Sequence, residues 1–239
     1  MNEKWVLREC DSEASAEIAQ SLGIPKPLAA VLSSRGIRKP EDAFSFLCPS
    51  LCQLHSPFLM RDMEKAVTRF RQAIADNETI GVFADSDLDG LTSLTALMTL
   101  IKRLAPDLTV HHRYPRGSEY YGLTKEAVDE FHEKNATLLI TLDCGTKDVA
   151  EIATAAEKGI EVIVIDHHEA DGVLPETLIV NPKRKDCEYP FKELAGVGVV
   201  FKFCHAVLLS YLPGFSKKIL IVSGSNGIVE AAWAVNGVV

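Results

Sequence analysis

The stretch GVFADSDLDGLTS, residues 81–93, sets three carboxylates, Asp85, Asp87 and Asp89, between an apolar run and a helix-like segment. Two later apolar runs end in the same chemistry: TLLITL is followed by Asp143, and EVIVI by Asp166, His167 and His168. Carboxylates brought together without a cation raise one another's proton affinity, because like charges oppose ionisation, whereas a bound divalent ion reverses that sign. Oxygen donors with one or two imidazoles suit Mn²⁺ or Mg²⁺, while zinc more often recruits cysteine or a larger share of histidine. His167 and His168 are adjacent, and neighbours on an extended segment point to opposite sides, so one imidazole is expected to reach a metal and the other a substrate. Taken singly, each acid reads as well as a turn residue or a helix N-cap, Asp89-Gly90 above all. The recurrence at three run ends is what favours a metal cradle. Cys144 follows Asp143, but the sequence suggests no partnered base, so a thiol nucleophile is not expected. His111 and His112 close a further apolar run and read as solvent-facing.

These residues need a scaffold, and the pattern from residue 79 onward supplies one. TIGVFA, LTVHH, TLLITL, EVIVI and ETLIV read as strands; LTSLTALMTLIKRL, TKEAVDEFHEK and TKDVAEIATAAEKG, the last with Gly159 at its C-cap, read as the helices between them. Alternation of this kind predicts an α/β fold, a parallel β-sheet flanked by helices and joined by right-handed crossovers. Ligands of such sheets bind beyond the carboxyl ends of the strands, where the acids and histidines fall. After ETLIV comes the loop NPKRKDCEYPF and then a buried helix, GVGVVFKFCHAVLLSYL. The first 78 residues read as short helices, a small N-terminal appendage. The expected division is a helical lead-in at 1–78, the sheet domain at 79–218 and a divergent C-terminal tail at 219–239.

With 239 residues and 47% hydrophobic composition the chain can bury a sizeable core. A net charge of −8 argues against an extended nucleic-acid surface but allows a local one, and Lys183, Arg184 and Lys185 cluster in one loop, with Arg113 and Arg116 in another. Either cluster reads equally as a solvated loop. The six cysteines form no CxxC pair and the opening MNEKWVLREC lacks the apolar core of a signal peptide, so reduced thiols and a cytoplasmic location are expected. The apolar tail ILIVSGSNGIVEAAWAVNGVV is broken by SGSNG and Glu230, so no membrane span is expected.

DSDLDGLTS, LDCG and IDHHE resemble the ordered motifs of the DHH phosphoesterase superfamily, and the surroundings resemble its RecJ branch of single-strand-specific DNA exonucleases. RGIRKPEDAFSFLCPSLCQLHSPFLMRDMEKAV is similar to the branch's lead-in, YPRGSEYYGLTKEAV to its arginine-containing segment, and NPKRKDCEYPFKELAGVGVVFK to the loop before its closing helix. The likeness covers roughly residues 20–205. The resemblance implies metal ligation by Asp85, Asp87, Asp143 and His167, with His168 and Arg116 facing a phosphate and Asp89 and Asp166 orienting the ligands. It implies two-metal hydrolysis with Mn²⁺ or Mg²⁺, catalysed around Asp143, His167, His168 and Arg116. The substrate it implies is single-stranded DNA entered from its 5′ end, in repair and recombination, with Lys183, Arg184 and Lys185 along the strand. It names no protein partner.

The chain departs from the family pattern at Ala84 and Ser86, at Tyr120-Tyr121-Gly122, and near its end, where aligning Gly224 puts Ile228 at an aspartate that supplies a further ligand. Glu230 is the nearest carboxylate. The family's second domain, with its glycine-rich, histidine-containing motif, is not visible, so the chain reads as a truncated N-terminal catalytic part with impaired activity in isolation. Two alternatives stand beside that expectation. One is a DHH phosphodiesterase acting on short oligonucleotides or dinucleotides, which the acidic charge suits; the other is a catalytically silent remnant or binding module, which Ile228 favours.

Overall fold

A computed structural model of the chain describes residue 6 and residues 8–117, 119–212, 218–225 and 228–235, the last two stretches and Cys52 through their backbone alone. Two compact units divide between Leu54 and His55. The first contains α1 (Ser12–Leu22), α2 (Lys26–Ser34) and α3 (Pro40–Leu47), gathered around Ile18, Ala29, Leu32 and Ala43. Local chemistry sets their ends. Asp11 accepts the Ala14 amide at the start of α1, Gly23 closes it at φ +63°, and Pro27 and Pro40 occupy first-turn positions where a missing N–H costs nothing.

The second unit begins with α4 (Met63–Ala75), a helix that the sequence reading groups with the lead-in. Then follow β1 (Ile80–Ala84), α5 (Leu88–Leu104), β2 (Val110–Arg113), α6 (Lys125–Glu133), β3 (Leu138–Leu142), α7 (Val149–Glu157), β4 (Glu161–Ile165), β5 (Leu178–Val180) and α8 (Gly196–Ser210). The strands form one parallel sheet in the order β2-β1-β3-β4-β5, flanked by helices as the alternation predicts. Side chains alternate across it. Ile80, Val82 and Ala84, Leu138, Ile140 and Leu142, and Ile163 and Ile165 join α4, α5 and α8 in one core, whereas Phe83, Leu139, Val162 and Val164 join α6 and α7 in the other. With both faces covered, the central strands β1, β3 and β4 are largely apolar, which is why they read as continuous runs, whereas edge strand β2 is Val-His-His-Arg.

Two helices start elsewhere than their periodicity suggests. α5 begins at Leu88, ahead of its apolar stripe, because Asp87 accepts the Gly90 amide and caps it. α7 begins at Val149 because the backbone at Thr146 is held by Asp166, and it ends with Lys158 as cap and Gly159 next, at φ +77°. Beyond α8, β6 (Lys218–Ser225) and β7 (Ile228–Val235) form an antiparallel pair. The side chains of Ile228 and Glu230, and with them the missing-ligand expectation, lie outside the described residues. No helix among the described residues is long and apolar enough to cross a membrane.

Candidate metal centre

The chain leaves β1 to one side to build β2 and to the other to build β3, so the crevice of the sheet opens between the carboxyl ends of β1 and β3. The ladder continues one residue past each strand. Asp85 N–H donates to Leu142 O at 3.2 Å, Asp143 N–H to Ile165 O at 2.9 Å and Asp166 N–H to Val180 O at 3.1 Å. Pairing of the backbone therefore sets Asp85, Asp143 and Asp166 side by side across neighbouring strands.

Two overlapping groups of donor atoms result. In one, Asp85, Asp87 and Asp143 present carboxylate oxygens within 4.8 Å of one another; in the other, Asp143, His167 and His168 do the same with two imidazoles. Asp143 belongs to both. Its side chain is 2% exposed, its φ is +60°, and its Oδ1 accepts no hydrogen bond among the described residues although His167 Nε2 lies 3.1 Å away. A left-handed backbone at a residue with a Cβ costs roughly 1–3 kcal/mol and persists only where the surroundings enforce it. Burial, then the charges of Asp89 and Asp87, push the Asp143 carboxyl up to about 7. Burial likewise raises Asp85. A buried oxygen on a strained residue, without a hydrogen bond among the described residues and surrounded by like charges, is what a divalent cation would satisfy, and the oxygen-rich donor set fits Mn²⁺ or Mg²⁺.

Glycines make the close approach feasible. A Cβ on Gly90 would stand 2.3 Å from Asp85 O, and one on Gly196 would stand 2.4 Å from Asp143 Oδ1. Asp89 draws α8 into place by accepting the Gly196 and Val197 amides, each at 2.7 Å, one on each oxygen. Its other near neighbour is His167 Nε2 at 3.8 Å. The N-terminus of α8 thus faces the cluster with its positive end.

His167 and His168 do not diverge as an extended segment would require. Asp166 Oδ1 accepts the amides of both, at 2.7 and 3.2 Å, and the turned backbone brings both rings to the Asp143 side with centroids 4.7 Å apart. Asp166 also contacts His168 Nδ1 at 2.8 Å and accepts Thr146 N–H at 3.1 Å. Burial pushes the Asp166 carboxyl up, but these hydrogen bonds outweigh it and hold the group at about 2. The hydrogen bond with Asp166 in turn raises His168.

The remaining sequence candidates lie elsewhere. Arg116 is 62% exposed and its ion pair is with Glu130, at 3.7 Å, rather than with a cluster carboxylate. Lys183 pairs with Glu169, and Lys185 is exposed. Arg184 is 11% exposed and binds Asp62, Asp186 and the Ile179 carbonyl, a structural tie between the 181–187 loop and the turn before α4. The solvent-facing expectation holds for His112, which is exposed, and in part for His111, which is half-buried.

Sequence reasoning missed Tyr121, whose hydroxyl donates to Asp143 O at 3.0 Å and lies 2.9 Å from His168 Nδ1. It also missed Asn181, which donates to Thr146 Oγ1 and His168 O, and Asp148, which accepts Leu123 N–H at 2.7 Å and is pushed up to about 6 by burial. Asn181 follows β5 directly, so the rule applied to the other strand ends would have found it.

Comparison with known proteins matches this architecture. The DHH family, N-terminal domain, matches residues 79–222. The chain is 37% identical over 213 residues to the single-stranded-DNA-specific exonuclease RecJ of Bacillus subtilis, covering 88% of this chain and 27% of that protein. It is 35% identical over 203 residues to the protein of the same name in Escherichia coli, covering 84% of this chain and 34% of that one. It superposes on RecJ of Thermus thermophilus, crystallised in complex with Mn²⁺, with a TM-score of 0.68 and 28% identity, over 88% of this chain and 29% of that structure. The chain therefore spans about a quarter to a third of the length of these relatives. A match over more than half its residues, on the very strands that carry the acidic cluster, means that the chain belongs to the DHH family.

Proposed function

We propose that the chain is the metal-dependent phosphodiesterase core of a RecJ-like exonuclease that degrades single-stranded DNA from its 5′ end. The observation that carries the reading is the pair of three-residue donor groups sharing Asp143 at the mouth of the sheet. The relatives named for action on single-stranded DNA, one of them crystallised with Mn²⁺, support the substrate and the metal. Asp85, Asp87, Asp143 and His167 are assigned as the residues that would hold two Mn²⁺ or Mg²⁺ ions, Asp143 being the residue the two donor groups share. When bound, the ions would lower the pKa of water and stabilise the charge that develops on the phosphate oxygens. Asp89 and Asp166 orient these groups, the first through α8 and the second through His168. With Asp166 on its Nδ1, His168 holds a proton there and is poised to face a phosphate oxygen, and Arg116 is assigned to a neighbouring phosphate. Lys183 and Lys185, with Arg184 holding their loop, are assigned to the strand backbone. A role in DNA repair and recombination and a cytoplasmic location belong to the same reading.

Release of nucleotides from a 5′-labelled single-stranded oligonucleotide in Mn²⁺ tests it, beside an Asp85→Ala/Asp87→Ala control. Mononucleotides lost in the control support the assignment. Absence of release from a folded preparation refutes it. The net charge of −8 favours a second reading, a phosphodiesterase for short oligonucleotides. Faster turnover of two- to five-residue substrates than of long strands would select it.

A further inference from the structure

The segment from the end of β2 to the start of α6 carries Tyr114, Arg116, Tyr120 and Tyr121 in exposed positions, and its far end touches the metal centre through Tyr121. Such a loop has no ladder of its own. Besides the Tyr121 hydroxyl on Asp143 O, two carboxylates brace its backbone. At the far end Asp148 accepts Leu123 N–H at 2.7 Å, beside a Gly122 at φ +95° whose Cβ would stand 2.8 Å from Asp148 Oδ1. At the near end one side chain, Glu119, does two things. Its Oε1 takes the guanidinium of Arg113 at Nη2, and its Oε2 accepts the Arg116 backbone N–H at 2.7 Å, while its own N–H donates to Arg116 O at 3.1 Å.

Arg113 gives that clasp its stiffness. It is the last residue of β2, in register with Phe83, and only 4% exposed. Its Nε lies 3.4 Å from Glu130, and neither Nε nor Nη1 makes a hydrogen bond among the described residues, so Glu119 is its principal counter-charge. A guanidinium buried at a strand end is costly to leave without its counter-charge, so Glu119 is held against it. The Arg116 amide is thereby referenced to the sheet rather than to solvent.

We propose that Glu119 is a positioning residue: by bridging buried Arg113 to the backbone of Arg116, it sets the loop that presents Arg116 and Tyr121 to substrate. The inference rests on the reading of the chain as a phosphodiesterase for its catalytic consequence, though not for the clasp itself. Displacement of a substrate-facing group by about 1 Å can cost on the order of a hundredfold in rate, and Glu119→Ala is expected to lower kcat by about ten- to a hundredfold with KM less affected.

The test combines proteolysis with a double-mutant cycle on the full chain. Trypsin cuts after Arg116 only when the loop opens, so cleavage of the Arg116–Gly117 bond should accelerate several-fold in Glu119→Ala and less in Glu119→Gln, which keeps the amide contact. Mn²⁺ affinity, followed by titration, should stay unchanged. In an Arg116→Ala background, Glu119→Ala should cause a smaller loss of activity than it does in wild type, since residues acting as a unit are not additive. Unchanged cleavage at Arg116 would overturn the proposal whatever the activity does. Losses that multiply independently would overturn it too. If Glu119→Ala does not fold, Glu119→Gln carries the same cycle. A wild-type chain without nuclease activity would refute the functional reading alone, and the cleavage result would still decide the clasp.

Discussion

Asp143→Asn in the metal-free protein should stabilise rather than damage the fold, and by an amount that depends on pH. The carboxyl is pushed up to about 7 from 3.8, chiefly by burial. A carboxyl raised in this way contributes stability that is fully present below about 3.8 and is lost as pH rises to about 7. At 1.36 kcal/mol per tenfold change in proton affinity, the ionised group costs roughly 4 kcal/mol, an upper bound because Asp87 and His168 leave the cluster partly open to water. Asparagine keeps the shape, and so the fit against Gly196, without the charge. The advantage of the variant over wild type should therefore grow by roughly 2 kcal/mol between pH 5 and pH 8 in EDTA. Asp148, pushed up to about 6, moves the stability of both proteins alike and cancels in the difference, while Asp166, held at about 2, acts below this range. Excess Mn²⁺ should narrow the gap: at a hundred times its dissociation constant it stabilises wild type by about 2.7 kcal/mol, and the variant by far less. Urea unfolding at the two pH values, with EDTA or with Mn²⁺, reads all four quantities. A difference that does not change with pH, or an equal response of both proteins to Mn²⁺, would refute the account of Asp143 as a charge waiting for a cation.

Gly196→Ala should weaken Mn²⁺ binding by at least tenfold and destabilise the fold by about 1–3 kcal/mol, because its Cβ would lie 2.4 Å from Asp143 Oδ1; unchanged metal titration would show that the centre can give way. Tyr121→Phe removes the hydroxyl bonded to Asp143 O, and should cost about 1 kcal/mol in thermal unfolding and lower kcat while leaving metal affinity intact. Arg184→Ala breaks a pair with Asp62 in which both side chains are nearly buried, and should cost about 2–3 kcal/mol without altering the salt dependence of DNA binding. Lys183→Ala with Lys185→Ala should do the reverse, flattening the salt slope at little cost in stability, as measured by binding titrations across a salt series.

The sheet was legible in the sequence because both of its faces are covered. Each of β1, β3 and β4 is predominantly apolar and stops at an acid, so the type of sheet and the location of the site at the carboxyl ends follow from composition and spacing alone. Residue types at those ends likewise indicate an oxygen-rich cation site. Boundaries were less legible. α4 carries its own amphipathic pattern, and nothing local says that Phe70 and Met63 pack against β-strand residues rather than against the helices before them.

Within the site, the sequence names the donors and the tertiary structure decides their geometry. Alternation predicts that His167 and His168 part, but Asp166 accepts both amides and turns them together, two hydrogen bonds that outweigh the local preference for extension. Whether a basic residue faces solvent or an acid is also a matter of distant neighbours: Arg184 meets Asp62 only because the chain folds back. The sequence by itself determined which residues bear the chemistry, since side-chain type and strand period are local properties. Only the tertiary structure decided that Asp143 is shared between two donor groups and that its Oδ1 lacks a hydrogen bond among the described residues, because the partners that surround it, Asp85 and Asp87 after β1, His167 and His168 after β4 and Gly196 at the start of α8, come together only across the crevice.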